Sequence, residues 1–98
     1  MKKNKNHKNL PTQEESKELE KLYKSNQFDV LEKTAKKLIN NYPKAFMLFN
    51  ILGIVDQKKG KINDAISNFK QSINIEPNFA YAHNNLGNAL KHVGEFTK

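Results

Sequence analysis

The chain has 98 residues, 37% of them hydrophobic, and a mean hydropathy of −0.81. That allows one domain at most and would give a single compact core little to bury. It has no cysteine, which excludes disulfides and thiolate zinc sites and is compatible with a reducing cytosol. Net charge is +7, carried by lysine alone, with no arginine. Without arginine the chain lacks the preferred bidentate group for phosphate and guanine edges, so a nucleic-acid partner is not expected.

Residues 1–11 form a basic leader. Positions 1–9 hold four lysines and no acid, and nothing apolar follows Met1 that could repay ordering entropy. The charge suits a signal peptide, but the apolar segment that should follow is missing. No apolar run approaches the ~20 residues needed to span a membrane. The leader is therefore expected to be disordered and dispensable for folding.

A first helix is predicted over 12–25. Thr12 and Glu15 stand three apart as a capping box, and Glu14, Glu15, Glu18 and Glu20 suit the positive end of the helix dipole. Asn26 tolerates a left-handed turn. A second helix follows over 29–41, with Val30, Leu31, Leu38 and Ile39 on its apolar face, and Pro43 stops it. A third runs over 44–58, with Leu48, Phe49, Leu52 and Val55 in one stripe. Gly53 lies inside it, at a cost of roughly 1 kcal/mol relative to Ala. A close approach by the facing helix is the expected reason. Gly60 supplies a left-handed stop. The fourth helix covers 63–76, capped by Asn63, with Ile62, Ala65, Ile66, Phe69 and Ile73 on one face. Pro77 ends it. The fifth covers 80–92, with Leu86, Ala89, Leu90 and Val93 as core, and Gly94 marks the next turn. No segment reads as a strand.

These elements repeat. Asn50, Leu52, Gly53 and Gly60 recur as Asn84, Leu86, Gly87 and Gly94, each 34 residues on, and Pro43 recurs as Pro77. Counting 34 back from Gly60 reaches Asn26, and from Ile62 reaches Phe28. A fixed period near 34 is the mark of a stacked helix-turn-helix array. Three units follow: 12–45, 46–79 and 80–98. Such arrays have no single buried centre, so surface binding is the expected function rather than catalysis. Phe28, Phe49, Leu52, Ala65, Phe69 and Leu86 are expected among the most buried side chains.

The middle unit reads Phe49-x-x-Leu52-Gly53-x-x-Asp56, then Ala65-x-x-x-Phe69, then Pro77. The third reads His83-x-x-Leu86-Gly87-x-x-Leu90. The chain resembles a tetratricopeptide repeat (TPR) protein, whose pattern is Trp-x-x-Leu-Gly-x-x-Tyr, Ala-x-x-x-Phe and Pro. The first unit is degenerate. It keeps Phe28, Ala35 and Pro43 but places Leu19 where the pattern has Gly. The resemblance implies an all-α fold, an α-solenoid of about two and a half repeats.

It also implies that first helices of successive units line a concave groove. On the middle unit the groove residues would be Met47, Asn50, Ile51, Ile54, Gln57 and Lys58. On the third they would be Tyr81, Asn84, Asn85, Asn88, Lys91 and His92. Asn carboxamides both donate and accept, which suits a peptide backbone. The plain alternative is that Met47 and Ile51 pack against the first unit and the asparagines are solvated. His83, in the place Phe49 fills one unit earlier, reads as a packed neutral histidine. Asp56 stands where the pattern has a large aromatic, with Lys59 or Lys61 as its candidate partner. His83 and His92 are nine apart and cannot share a metal in the i, i+4 manner. No catalytic triad or phosphate loop is present. No enzyme activity, cofactor or metal is expected for these residues.

The expected function is a cytoplasmic protein-interaction module that binds a partner peptide or helix in the groove. A second reading comes from Ala82–Lys91, Ala-His-Asn-Asn-Leu-Gly-Asn-Ala-Leu-Lys. It resembles the leading repeats of bacterial transferases of the O-linked N-acetylglucosamine type, or of sulfotransferases, in which the array presents substrate or mediates assembly. The third unit stops before a second helix, so the chain reads as a fragment. Self-association through its open stripe is expected.

Overall fold

The computed structural model describes residues 10–97, and side-chain surroundings for residues 10–94. The expectations for the basic leader lie outside the described residues. Five helices follow in order: α1 Gln13–Lys24, α2 Phe28–Asn41, α3 Phe46–Lys58, α4 Ile62–Ile75 and α5 Ala80–Thr97. The described residues contain no strand. The chain divides into two compact units, one ending at Ala45 and the other beginning at Phe46.

In the first unit α1 and α2 form an antiparallel pair. The capping box closes as predicted: Glu15 N donates to Thr12 Oγ1 at 3.1 Å, and Thr12 N donates to Glu15 Oε1 at 2.8 Å. Two of the orphan donors at the helix start are thereby satisfied. Asn26 has φ +60°, the left-handed turn its short polar side chain tolerates. Leu19 and Leu22 of α1 and Leu31, Ala35 and Leu38 of α2 are buried. Leu31, Ala35 and Leu38 step by four and three along one face. Val30 falls one residue to the side of that stripe and is exposed, contrary to its expected place on the apolar face. Phe28 is only half-buried, since it sits at the turn with its ring edge-on to Tyr23, centroids 6.1 Å apart. At the far end of α2 the Tyr42 hydroxyl donates to Glu15 Oε1 at 2.8 Å. That bond, with desolvation and the Glu15 charge behind it, holds the Tyr42 phenol above its ordinary pKa.

The second unit is a three-helix stack. α4 packs antiparallel on α3, α5 packs on α4, and α3 also touches α5. Phe69 and Ala65 of α4 and Ala89 of α5 are fully buried and form one cluster, with Ile54, Ile62, Ile66 and Leu86 at its edge. Leu48 and Val55 have no exposed surface, and Leu52 is buried. Of the six side chains expected to be most buried, Leu52, Ala65 and Phe69 are so. Phe49 and Leu86 are half-buried. Leu48, Leu52 and Val55 step by four and three, and Phe49 lies to one side of them. Leu86 borders the open flank of α5.

Gly53 is explained by its neighbour. A Cβ at that position would lie within 2.9 Å of three Phe69 ring carbons, Cε1, Cδ1 and Cζ, so only glycine lets α4 approach this closely. Gly60 ends α3 at φ +81°, and Lys61 N donates to Asp56 O at 2.8 Å across the turn. Gly60→Ala is expected to cost about 1–2 kcal/mol, the penalty of a left-handed conformation for a residue with a Cβ, since there is open space around the site. A urea midpoint unchanged by the substitution would show that the turn relaxes to a right-handed form. The α4 cap differs from expectation: the N-cap is Lys61, without a side-chain capping bond, and Asn63 is already inside the helix.

At Gly94 the register predicts a turn like that at Gly60, yet α5 continues to Thr97. No helix among the described residues packs back against α5 there. The intrahelical hydrogen-bond ladder therefore continues, and no left-handed residue is needed. Ser72, unremarked in the sequence, is fully buried in α4, and its Oγ donates to Phe46 O at 2.8 Å. This bond ties the end of α4 to the start of α3.

Candidate functional site

The helical wheel brings the predicted groove residues of each helix onto one face. On α3 these are Met47, Asn50, Ile51, Ile54, Gln57 and Lys58. On α5, Tyr81, Asn84, Asn85, Asn88, Lys91 and His92 occupy the same places 34 residues later. Because α3 touches α5, the two faces are neighbours within the second unit.

Their environments differ. Asn50 is 7% exposed, which is deep for a carboxamide. It meets Asn85, whose Nδ2 donates to Asn50 Oδ1 at 3.0 Å. This contact bridges α3 and α5, and its two residues stand one position away from a 34-residue spacing. Met47, Ile51 and Gln57 are half-buried. Ile54 is also half-buried and leans on the Ala65–Phe69–Ala89 cluster, so it serves the core as well as the face. Lys58 is exposed. On α5, Asn84, Asn88, Lys91 and His92 are exposed, and Asn85 is half-buried. Asn84 occupies the repeat position of Asn50 but has no helix beyond it among the described residues.

Tyr81 is the most open of the large hydrophobic side chains among the described residues, at 71%. It continues a short aromatic series. Phe46 and Phe79 meet edge-on with centroids 4.8 Å apart, and Phe79 and Tyr81 do so at 5.7 Å. Sequence reading placed Tyr81 on the face but missed this series, because Phe79 lies in the turn before α5 and outside the helical period.

The Asn50–Asn85 pair has a defined hydrogen-bonding remainder. Asn50 Oδ1 and Asn85 Nδ2 are used on each other. The Asn50 NH2 group and the Asn85 carbonyl have no further side-chain partner among the described residues. One donor group and one acceptor therefore remain side by side, the complement of a peptide group. An unpaired polar group this deeply buried is costly, of order 1–3 kcal/mol.

His83 departs from expectation. It is exposed rather than packed, and its Nε2 lies 2.6 Å from the Pro77 carbonyl oxygen. The imidazole reaches back over the turn because no helix covers the flank of α5 where Phe49 lies one unit earlier. Asp56 is buried and accepts from Asn68 Nδ2 at 2.7 Å. That carboxylate–carboxamide contact ties α3 to α4 in place of the aromatic of the family pattern. Among the described residues no group of three His, Cys, Asp or Glu is placed to hold a metal ion. No described helix is long and apolar enough to cross a membrane.

Residues 55–94 match the family model described as a TPR repeat. The match runs from the second half of α3 through α4 into α5, the helices whose packing is set by Gly53, Phe69 and Ala89. The described residues are all-α, five helices in an arrangement consistent with a TPR-type helical repeat. The curated proteins give no match to it.

Proposed function

We propose that the chain is a protein-interaction module whose α3–α5 face takes an extended peptide segment. The observation that carries this reading is the hydrogen-bonded pair of buried Asn50 and half-buried Asn85. Its free donor and free acceptor suit a backbone N–H and C=O, which every peptide presents irrespective of side chain. Met47 and Ile51 on one side offer apolar contact, and exposed Asn84 and Asn88 extend the row of carboxamides. Tyr81 supplies a rigid amphipathic ring of the type enriched at interfaces. Lys58 and Lys91 at one end favour an acidic segment there by charge.

The test is selection of binding peptides from a random display library on the purified protein, followed by affinity measurement. Asn85→Ala is expected to weaken the selected peptides about 5- to 100-fold, the range of a lost hydrogen bond to a buried carboxamide. Helicity should be unchanged. Asn88→Ala, at an exposed place, should weaken them less. Affinities untouched by either substitution would move the binding surface elsewhere.

A further inference from the structure

The α3–α5 face changes chemistry along its length. The Phe46, Phe79 and Tyr81 rings join the N-terminal ends of α3 and α5, and the Asn50–Asn85 bond joins the two helices about one turn further on. The helices therefore run side by side in the same direction, and equivalent repeat positions lie level. Half-buried Met47 and exposed Tyr81 stand at one end. The carboxamide pair follows. Lys58 and Lys91 are exposed at the other end. Among the side chains described on α3 and α5 the one acid is Asp56. It is 6% exposed and held by Asn68 of α4, away from this face.

We propose, resting on the reading of this face as a peptide site, that it selects a segment whose bulky apolar residue and internal Asp or Glu stand about five positions apart. The spacing follows from the helices. Met47 to Lys58 is eleven residues and Tyr81 to Lys91 is ten. At ~1.5 Å of rise per residue these spans are about 15–16 Å. An extended peptide covers that in about five residues at ~3.3 Å each. The apolar residue packs on the Tyr81 ring beside Met47. A peptide group one or two positions on meets the Asn50–Asn85 pair, about 5 Å further along the helices. The carboxylate then reaches the lysine end, where an acid is complementary and a further cation is not. α5 runs on to Thr97, so the surface continues past Lys91. An internal side chain, rather than a chain terminus, supplies the carboxylate. The spacing holds for either direction of the peptide.

Selection from a random display library on the purified protein tests this. Enriched sequences should pair a bulky apolar residue with Asp or Glu at a separation of about four to six. In the tightest selected peptide, synthesised with both ends blocked, replacing the acid by Ala should weaken binding about 3- to 5-fold at low salt. Replacing the apolar residue by Ala should weaken it roughly tenfold. Moving the acid three positions should cost as much as removing it. Lys58→Glu should turn the preference at the acidic position toward Lys or Arg, and Tyr81→Ala should erase the apolar preference. Circular dichroism should be unchanged in both, since both sites are exposed. Enriched peptides with no fixed separation, still weakened by Asn85→Ala, overturn the spacing and leave the peptide reading standing. Binding that requires an unblocked C-terminal carboxylate overturns the internal acid. Binding indifferent to Asn85→Ala, Lys58→Glu and Tyr81→Ala alike overturns both the peptide reading of this face and the spacing built on it.

Discussion

Phe69→Ala is expected to remove about 3–5 kcal/mol of stability, the range for deleting a buried aromatic ring whose site cannot collapse. Phe69 has no exposed surface and is the largest fully buried side chain. It touches the backbone of α3 at Gly53 and shares a cluster with Ala65 and Ala89. Its loss would therefore loosen α3 from α4 and α4 from α5 together. The rigid helices around it limit relaxation, and the cavity term adds to the lost transfer energy. Urea unfolding followed by circular dichroism measures the effect. A loss under about 1 kcal/mol would mean that the ring is not the centre of the second unit.

Gly53→Ala is expected to destabilise the protein, although the same change in an ordinary helix interior gains roughly 1 kcal/mol. The new methyl would lie within 2.9 Å of three carbons of the Phe69 ring. The ring cannot swing aside in a packed core, and overpacking of this kind costs about 1–3 kcal/mol. Gly87→Ala provides the internal control. It occupies the same repeat position with nothing within 4 Å, so in dilute protein it should keep the propensity gain and raise stability. Opposite signs at two glycines 34 residues apart would show that α4, rather than the repeat motif itself, demands glycine. The pair also couples: in a Phe69→Leu background the Gly53→Ala penalty should shrink, a non-additivity read by a double-mutant cycle. Equal effects at Gly53 and Gly87 would contradict this account.

The contrast shows what the sequence made legible. Period 34, the glycines and the prolines placed the five helices, except that α5 runs through the turn expected at Gly94 to Thr97, and the apolar steps of three and four picked out Leu52, Ala65 and Phe69. Local signals read correctly where the cause is local: the Thr12–Glu15 box, Asn26 and Gly60 each depend on a few adjacent residues. Expectations drifted where the repeat was assumed to be covered. His83 reads as core because Phe49 stands one period earlier, and Leu86 and Leu90 because they fall on the apolar face of α5. Yet covering them takes a helix beyond α5, and none is present among the described residues. Asn63 is not the cap expected of it because the N-cap lies two residues earlier, at Lys61. On the candidate face, the TPR resemblance grouped the twelve residues, but no spacing rule could show that Asn50 sinks and Asn84 stays open. That difference depends on which helix lies alongside.

The most direct test of the proposed binding face is a titration of nitrogen-15-labelled protein with a library-selected peptide, followed through the side-chain NH2 resonances of asparagine. The account predicts that the Asn50 and Asn85 carboxamide signals move together and saturate at one affinity, with smaller shifts at Asn84 and Asn88. Ser67 and Lys70, exposed on α4, should keep their backbone signals in place. Saturable shifts confined to α4, with the Asn50 and Asn85 signals unmoved, would contradict it.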